Sequence, residues 1–163
     1  MEKRSLQFFR GVILLIGIGA LAFMLWEPHL EGRNVHSTLF EIYFNDPFLA
    51  YAYIASIPFF VALYHAFMAV GYTGHDTIDL QLAVNSLRMI KYCAIVLIGF
   101  VAAGEIYILL SPSDDRAGGV FMGILITVGS LLIAAAASTF ERKLRRAAES
   151  QSMNSLTRER DEP

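Results

Sequence analysis

Two polar side chains within apolar stretches have the clearest potential for chemistry in this sequence. Glu105 lies in the apolar stretch 90–110, and His65 lies in the stretch 48–70. Ionisable side chains within membrane-spanning segments are rare, usually face the interior of a helix bundle, and mark proton or ion pathways. Both residues are therefore candidate intramembrane polar sites, and Glu105 is a candidate proton or cation site.

The depth of Glu105 favours a structural role over this functional one. Glu105 lies five residues before Leu110, which corresponds to about 7–8 Å from the outer end of the helix. Neighbouring helices carry hydrogen-bonding side chains at comparable depth, namely Tyr51, Tyr53 and Thr127. His65 differs from Glu105 in depth by roughly 14 Å, so we do not expect these two to pair. The expected partners of His65 are Ser138 and Thr139.

No other arrangement of side chains indicates an enzyme or a metal protein. The sequence contains no glycine-rich phosphate loop and no spacing that identifies a nucleophile with its base. The single cysteine, Cys93, excludes an intramolecular disulfide and a cysteine-rich zinc site. The spacing of His29, Glu31 and His36 matches no zinc arrangement. We therefore expect no catalytic residue, no cofactor, no metal site and no enzymatic activity.

A third group of candidate residues lies where residues 71–89 lead into the stretch 90–110. Asp76 or Thr77 can cap a helix, and apolar residues then recur at helical spacing. This helix is expected to continue into the following stretch without a break. We call residues 77–91 the foot. This amphipathic segment either anchors the helix at the membrane interface or docks a partner. The candidate docking residues on this foot are Leu87, Arg88 and Lys91.

Composition and hydropathy indicate that these residues belong to a membrane protein. Of the 163 residues, 55% are hydrophobic and 17% charged, and the mean hydropathy is +0.50. Four apolar stretches approach or exceed the length of about 20 residues that spans a bilayer. They cover residues 8–26, 48–70, 90–110 and 118–140. The first resembles a signal peptide in its basic start, but its apolar run is too long for one. We predict an all-α integral membrane four-helix bundle.

The distribution of basic residues predicts the orientation of this bundle. Eleven of the thirteen Lys and Arg residues fall in the N-terminal tail, in the second connection with the start of the third stretch, and in the C-terminal tail, whereas only Arg33 and Arg116 fall in the other two connections. Positively charged flanks stay in the cytoplasm. Both termini are therefore expected to be cytoplasmic, in a multi-pass protein of a bacterial inner membrane. The net charge of -2 argues against direct binding of nucleic acid.

The remaining segments have simpler interpretations. Residues 1–149 form one membrane domain, with a short interfacial helix expected at 37–44, and residues 150–163 are polar and expected to be disordered. Residues 141–146 are mostly basic and are expected to contact lipid headgroups. Small residues at four-residue spacing, as at Gly119 and Gly123, allow close helix packing within the monomer. A homo-oligomer is left open.

One sequence motif carries a family resemblance. Residues 86–95 read Ser-Leu-Arg-Met-Ile-Lys-Tyr-Cys-Ala-Ile. Together with the four spans and the chain length, this motif resembles a bacterial family of small four-span membrane proteins that carries a domain-of-unknown-function label. In that family the gene often lies beside one for a small Xre/Cro-like helix-turn-helix regulator. The resemblance implies a membrane partner of a transcription factor, and it implies no catalytic residue.

Two functions of different classes follow from these observations. The first is a non-enzymatic membrane partner or regulator that holds a small cytoplasmic helix-turn-helix protein through the foot and the basic tail. The second is a small oligomeric transporter or channel that uses Glu105. Co-purification of the regulator distinguishes the first function, and solute flux that changes in Glu105→Gln distinguishes the second.

Overall fold

The regular structure of the described residues is α-helical. The computed structural model describes residues 3–30, 38, 40, 47–72, 77–110 and 116–161. Its helices are α1 (Lys3–Leu30), α2 (Pro47–Gly71), α3 (Thr77–Leu110) and α4 (Arg116–Asp161). Each contains an apolar window long enough to cross a membrane. The predicted all-α class and the four membrane-spanning helices are confirmed.

The helix ends follow the local sequence. Proline is favoured in the first turn of a helix because its missing N–H has no partner there, and α2 begins at Pro47. Glycine is favoured where a helix stops, and α2 ends at Gly71. α3 begins at Thr77 and continues without a break to Leu110. The foot predicted before the third span is therefore continuous with α3.

Two of the helices are much longer than a bilayer requires. At about 1.5 Å per residue, the 34 residues of α3 measure about 51 Å and the 46 residues of α4 about 69 Å. The hydrocarbon core is only about 30 Å thick. The two helices therefore extend together beyond their apolar stretches, and we call residues 77–91 and 141–153 the helical stem.

The helices pack mainly against their neighbours in the chain. The contacts are most extensive between α3 and α4, fewer between α2 and α3, and fewest between α1 and α2. Every buried apolar side chain among the described residues lies on α3 or α4, and these are Ala83, Val84, Ile90, Ala94, Ala137 and Ala148. The α3–α4 pair is thus the best-packed part of the described structure.

The first two helices are held together more loosely. The Tyr53 hydroxyl donates a hydrogen bond of 2.8 Å to the Met24 carbonyl oxygen, and Leu63 packs on the backbone at Gly17. The Arg10 guanidinium lies over the Phe67 ring, 5.0 Å from its centre. Large apolar side chains cover the outer faces of α1 and α4. Such continuous apolar exposure suits helices whose outer faces contact lipid.

The end of α4 differs from its predicted state. The composition of residues 150–163 predicts disorder, whereas α4 continues as a helix to Asp161. Helix propagation adds one hydrogen bond per residue once a helix exists, and glutamate, arginine and leucine in this segment are good helix formers. The predicted interfacial helix at 37–44 lies outside the described residues, apart from Thr38 and Phe40.

Candidate functional site

Three charged side chains join α3 to α4 within the helical stem. Arg88 and Lys91 are three residues apart on α3, so they lie on the same side of that helix. Arg88 Nε donates to Glu141 Oε1 at 3.1 Å, and Lys91 Nζ donates to Glu141 Oε2 at 2.8 Å. Each carboxylate oxygen of Glu141 therefore has its own cationic donor. We call these three residues the ion cluster.

The burial of the ion cluster is uneven. The Glu141 side chain is 11% exposed, whereas those of Lys91 and Arg88 are 26% and 43% exposed. A buried charge is costly unless it is paired and hydrogen-bonded, and Glu141 meets both conditions. The cluster retains one positive charge in excess, and that charge lies toward solvent on the Arg88 side.

Small side chains allow the two helices to approach closely around the ion cluster. Ser86 and Ala94 on α3 are buried on either side of Lys91 and Arg88, and Ala137 and Ala148 on α4 are buried on either side of Glu141. Residues with short side chains let helix backbones come together. The ion cluster thus lies within a packed interface, where its geometry fixes the register of α3 against α4.

The predicted docking residues are drawn into this interface to different degrees. Arg88 and Lys91 bind Glu141, and Leu87 is half-buried. The opposite side of α3 is more open, with Leu82 40% and Met89 42% exposed and Asn85 exposed between them. A docking role for Leu87, Arg88 and Lys91 stays a prediction. We call Leu82, Asn85 and Met89 the exposed stripe of α3.

Glu105 lies at the opposite end of the same helix pair. Its carboxylate packs against the α4 backbone at Gly123, so closely that a β-carbon there would overlap it. One turn along α4, a β-carbon at Gly119 would similarly crowd Ile108, 2.9 Å from its Cδ1. The two glycines therefore accommodate α3 within the monomer, as their spacing predicted. Among the described side chains, Glu105 forms no ion pair or hydrogen bond.

The tyrosines predicted as partners of Glu105 bind elsewhere, which corrects that prediction. The Tyr51 hydroxyl donates to the Phe100 carbonyl oxygen at 2.5 Å, and the Tyr51 ring packs on Gly104. The Tyr53 hydroxyl donates to the Met24 carbonyl oxygen. Since both tyrosines are on α2 and Glu105 faces α4, depth alone was an insufficient guide. Tyr51, Phe48 and Tyr107 also line an apolar cavity of about 310 Å³.

The expected hydrogen bonds of His65 are also wrong. His65 packs edge-to-face against Tyr64, with ring centres 5.5 Å apart. The Thr139 hydroxyl donates instead to the Ala135 carbonyl oxygen of its own helix. The physical reason is that α2 packs on α1 and α3, whereas α4 packs on α3. His65 and Glu105 are therefore separate polar positions on different helices.

The described residues contain no group of three or more side chains able to hold a metal ion. The structure describes none of the side chains of His29, Glu31 and His36, and nothing is inferred about them. Within the described part of the chain, the ion cluster and the exposed stripe beside it are the features best suited to binding. They provide a partly charged surface on the packed α3–α4 pair.

Comparison with known proteins identifies relatives of the same general type. The family described as "Protein of unknown function (DUF2975)" matches residues 34–161, a range that includes the ion cluster and Glu105. The "Uncharacterized membrane protein YoaS" of Bacillus subtilis (strain 168) is 33% identical over 161 residues, covering 96% of this chain and 99% of the relative. No solved structure matches the chain. The predicted resemblance to a four-span family of this kind is confirmed at the level of the family.

Proposed function

The chain belongs to the DUF2975 family and is a membrane protein with four apolar helices, and from the geometry of α3 and α4 we propose that it anchors a cytoplasmic protein at the bacterial inner membrane. The partner that we propose is a small Xre/Cro-like helix-turn-helix regulator. In this role the chain is a non-enzymatic regulator that holds or releases the transcription factor.

The observation that supports this role is the helical stem. α3 and α4 extend beyond their apolar stretches as a packed pair, and the ion cluster fixes their register. A rigid helix pair presents its surface without an ordering cost on binding, which favours affinity. Leu82 and Met89 supply exposed apolar contacts on this surface, and helix-in-groove recognition uses anchors at such helical spacing.

The orientation belongs to the same proposal. The excess of Lys and Arg in both tails and around the second connection supports a cytoplasmic location for both termini and the stem. Alkaline phosphatase fused after Ser113 should be active, because this connection is then outside the cytoplasm. Phosphatase fused after Ser150 should be inactive. The reverse pattern contradicts both the orientation and a cytoplasmic stem.

The docking role is tested by fractionation of cells that express a helix-turn-helix regulator encoded beside the gene for this chain. The regulator should sediment with membranes when the full chain is present and remain soluble when it is deleted. The double substitution Leu82→Glu and Met89→Glu should release the regulator, because it places two charges on the exposed stripe. Photo-crosslinkers introduced at the same two positions should join the regulator to the stem.

A matched control separates loss of docking from loss of the protein. Met153→Glu adds one negative charge, half of what the double variant adds, to a side chain that is 68% exposed on α4 instead of α3, and should leave the regulator on the membrane. Western blotting should show equal amounts of each variant in the membrane. A regulator that is soluble in every strain, or that stays on the membrane in the double variant, contradicts the proposal.

A further inference from the structure

A second surface of the stem lies on α4, at the point where its apolar stretch ends. The exposed apolar side chains of α4 continue to Phe140, which is 58% exposed. Arg142, Lys143 and Arg146 follow within two turns, and their side chains are exposed. None of the three forms a hydrogen bond or an ion pair with another described side chain. We call these three residues the basic collar.

The two described carboxylates nearest in sequence to the basic collar are already bound. Glu141 lies toward α3, where Arg88 and Lys91 occupy both of its oxygens. Glu149 accepts a hydrogen bond of 3.0 Å from Arg145, four residues earlier on the same helix. The collar therefore carries three positive charges that have no counter-charge among the described side chains.

The position of the collar relative to the bilayer identifies the partner. The headgroup layer on each side of the hydrocarbon core is about 5–8 Å thick. Arg142 and Lys143 lie about 3–5 Å along the helix from Phe140, and Arg146 lies about 9 Å from it. Long basic side chains can extend back toward the interface. All three charged groups can therefore reach the phosphate layer while α4 crosses the membrane.

We propose that the basic collar binds the phosphate groups of anionic phospholipids. A guanidinium forms two parallel hydrogen bonds to a phosphate, and an ammonium adds a point charge. Basic residues beside an anionic membrane surface each contribute about fivefold in affinity. Binding at the collar holds α4 at a fixed depth, which leaves the stripe on α3 available. The inference stands independently of the proposed docking partner.

The test compares an anionic with a zwitterionic lipid on the full-length protein. Detergent-purified protein is titrated with phosphatidylglycerol or phosphatidylcholine, and bound lipid is counted by native mass spectrometry. The wild type should bind phosphatidylglycerol more tightly. The triple substitution Arg142→Gln, Lys143→Gln and Arg146→Gln should weaken phosphatidylglycerol binding by more than tenfold and leave phosphatidylcholine binding unchanged. Equal binding of the two lipids by the wild type overturns the proposal.

Two further variants make the test specific for the collar. Arg158→Gln with Arg160→Gln removes charge from the far end of α4 and should retain lipid preference. Arg142→Lys with Arg146→Lys keeps the charge and should retain most of it. The proposal is overturned if the triple variant still prefers phosphatidylglycerol or the far-end variant loses as much. Should the triple variant not fold, wild-type binding that persists in about 1 M salt, where charges are screened within roughly 3 Å, overturns it.

Discussion

Glu105 and Glu141 lie at opposite ends of the α3–α4 interface, yet the surroundings of their two carboxylates differ. Glu105 extends from α3 onto the α4 backbone at Gly123, and no described side chain pairs with it. Glu141 extends in the reverse direction, from α4 to α3, and both of its oxygens bind cations. The difference shows two ways in which a carboxylate can be placed between membrane helices.

The two contacts have different physical bases. At Glu141, attraction between opposite charges fixes which residues face each other, because a displaced carboxylate loses two charge-assisted hydrogen bonds. At Glu105, the contact depends on shape, because only glycine leaves room for the carboxylate on α4. Charge complementarity therefore sets the register at the stem, and the absence of a side chain permits close approach at the other end.

Removal of the Glu141 carboxylate should have the largest effect. We expect Glu141→Ala to lower the free energy of unfolding by about 2–3 kcal/mol, because two cations at the interface lose their partner. This is less than the roughly 3–5 kcal/mol typical of a fully buried pair, since Arg88 remains 43% exposed. Unfolding by SDS in mixed micelles, followed by circular dichroism, measures the change.

Two control variants test whether charge pairing causes this loss. Glu149→Ala removes an exposed carboxylate that Arg145 binds on the same helix, and such pairs contribute only about 0.3–0.5 kcal/mol. Glu141→Lys should destabilise the protein more than Glu141→Ala, and adding Lys91→Glu should recover part of the loss. Equal stability of the Glu141→Ala and Glu149→Ala variants would show that the ion cluster does not set the register.

Addition of a methyl group at the glycine contact should have the next largest effect. Gly123→Ala places a β-carbon where the Glu105 carboxylate lies, and overpacking of this kind costs about 1–3 kcal/mol. Gly129→Ala is the matched control on the same helix, because no atom lies within 4 Å of its β-carbon position. The control should be neutral or gain up to about 1 kcal/mol from helix propensity. The same SDS titration measures both.

The double variant Gly123→Ala with Glu105→Ala tests whether the two residues interact directly. Truncation of Glu105 removes the atoms that the new methyl group would overlap, so the double variant should be more stable than Gly123→Ala alone. Additive effects of the two substitutions would show that the loss at Gly123 arises elsewhere.

The sequence was sufficient to predict much of the fold. Apolar stretches at 48–70 and 90–110 correspond to α2 (Pro47–Gly71) and to the end of α3 (Thr77–Leu110). Each could be identified because a bilayer imposes a length of about 20 apolar residues. The continuity of the foot with α3 was also predictable, since the connection contains no proline or glycine after Thr77 until Gly99.

The ion cluster could not be recognised in the same way. The sequence indicates Arg88 and Lys91 as candidate residues, but it places Glu141 in a mostly basic segment for which headgroup contact is expected. Which of several charges faces a neighbouring helix depends on the rotation and register of both helices, and neither is encoded in a local pattern. One signal was available, because Glu141 is the only acidic residue among residues 117–148 of α4.

The side-chain pairs predicted between spanning helices are wrong for a related reason. The partners predicted for Tyr51 and His65 rest on depth along the helix, which follows from the rise per residue. For His65, contact also requires that two helices be neighbours, and α2 packs beside α3 rather than α4. For Tyr51 the helices are neighbours, but Glu105 faces α4 instead of α2. Depth therefore restricts the set of possible partners but does not select one.

Substitution of Glu105 itself should have the smallest effect. Glu105→Gln keeps the shape and the polar groups at the Gly123 contact and should leave unfolding unchanged within error. Glu105→Leu exchanges a polar group without a described partner for an apolar one, and we expect a gain of less than about 1 kcal/mol, because an unpaired polar group in hydrocarbon is costly. SDS titration of the two variants beside the wild type measures both changes.

The sign of the stability change in Glu105→Leu distinguishes two interpretations of how Glu105 differs from Glu141. A gain in stability means that the carboxylate at Gly123 is tolerated rather than required, in contrast to Glu141. A loss of about 0.6 kcal/mol, the average for a membrane hydrogen bond, would mean that Glu105 has a polar partner and that the two ends resemble each other. In liposomes, a Gln variant that folds normally but alters solute flux would favour the transport function over packing, because the amide keeps the shape of the carboxylate and removes only its charge.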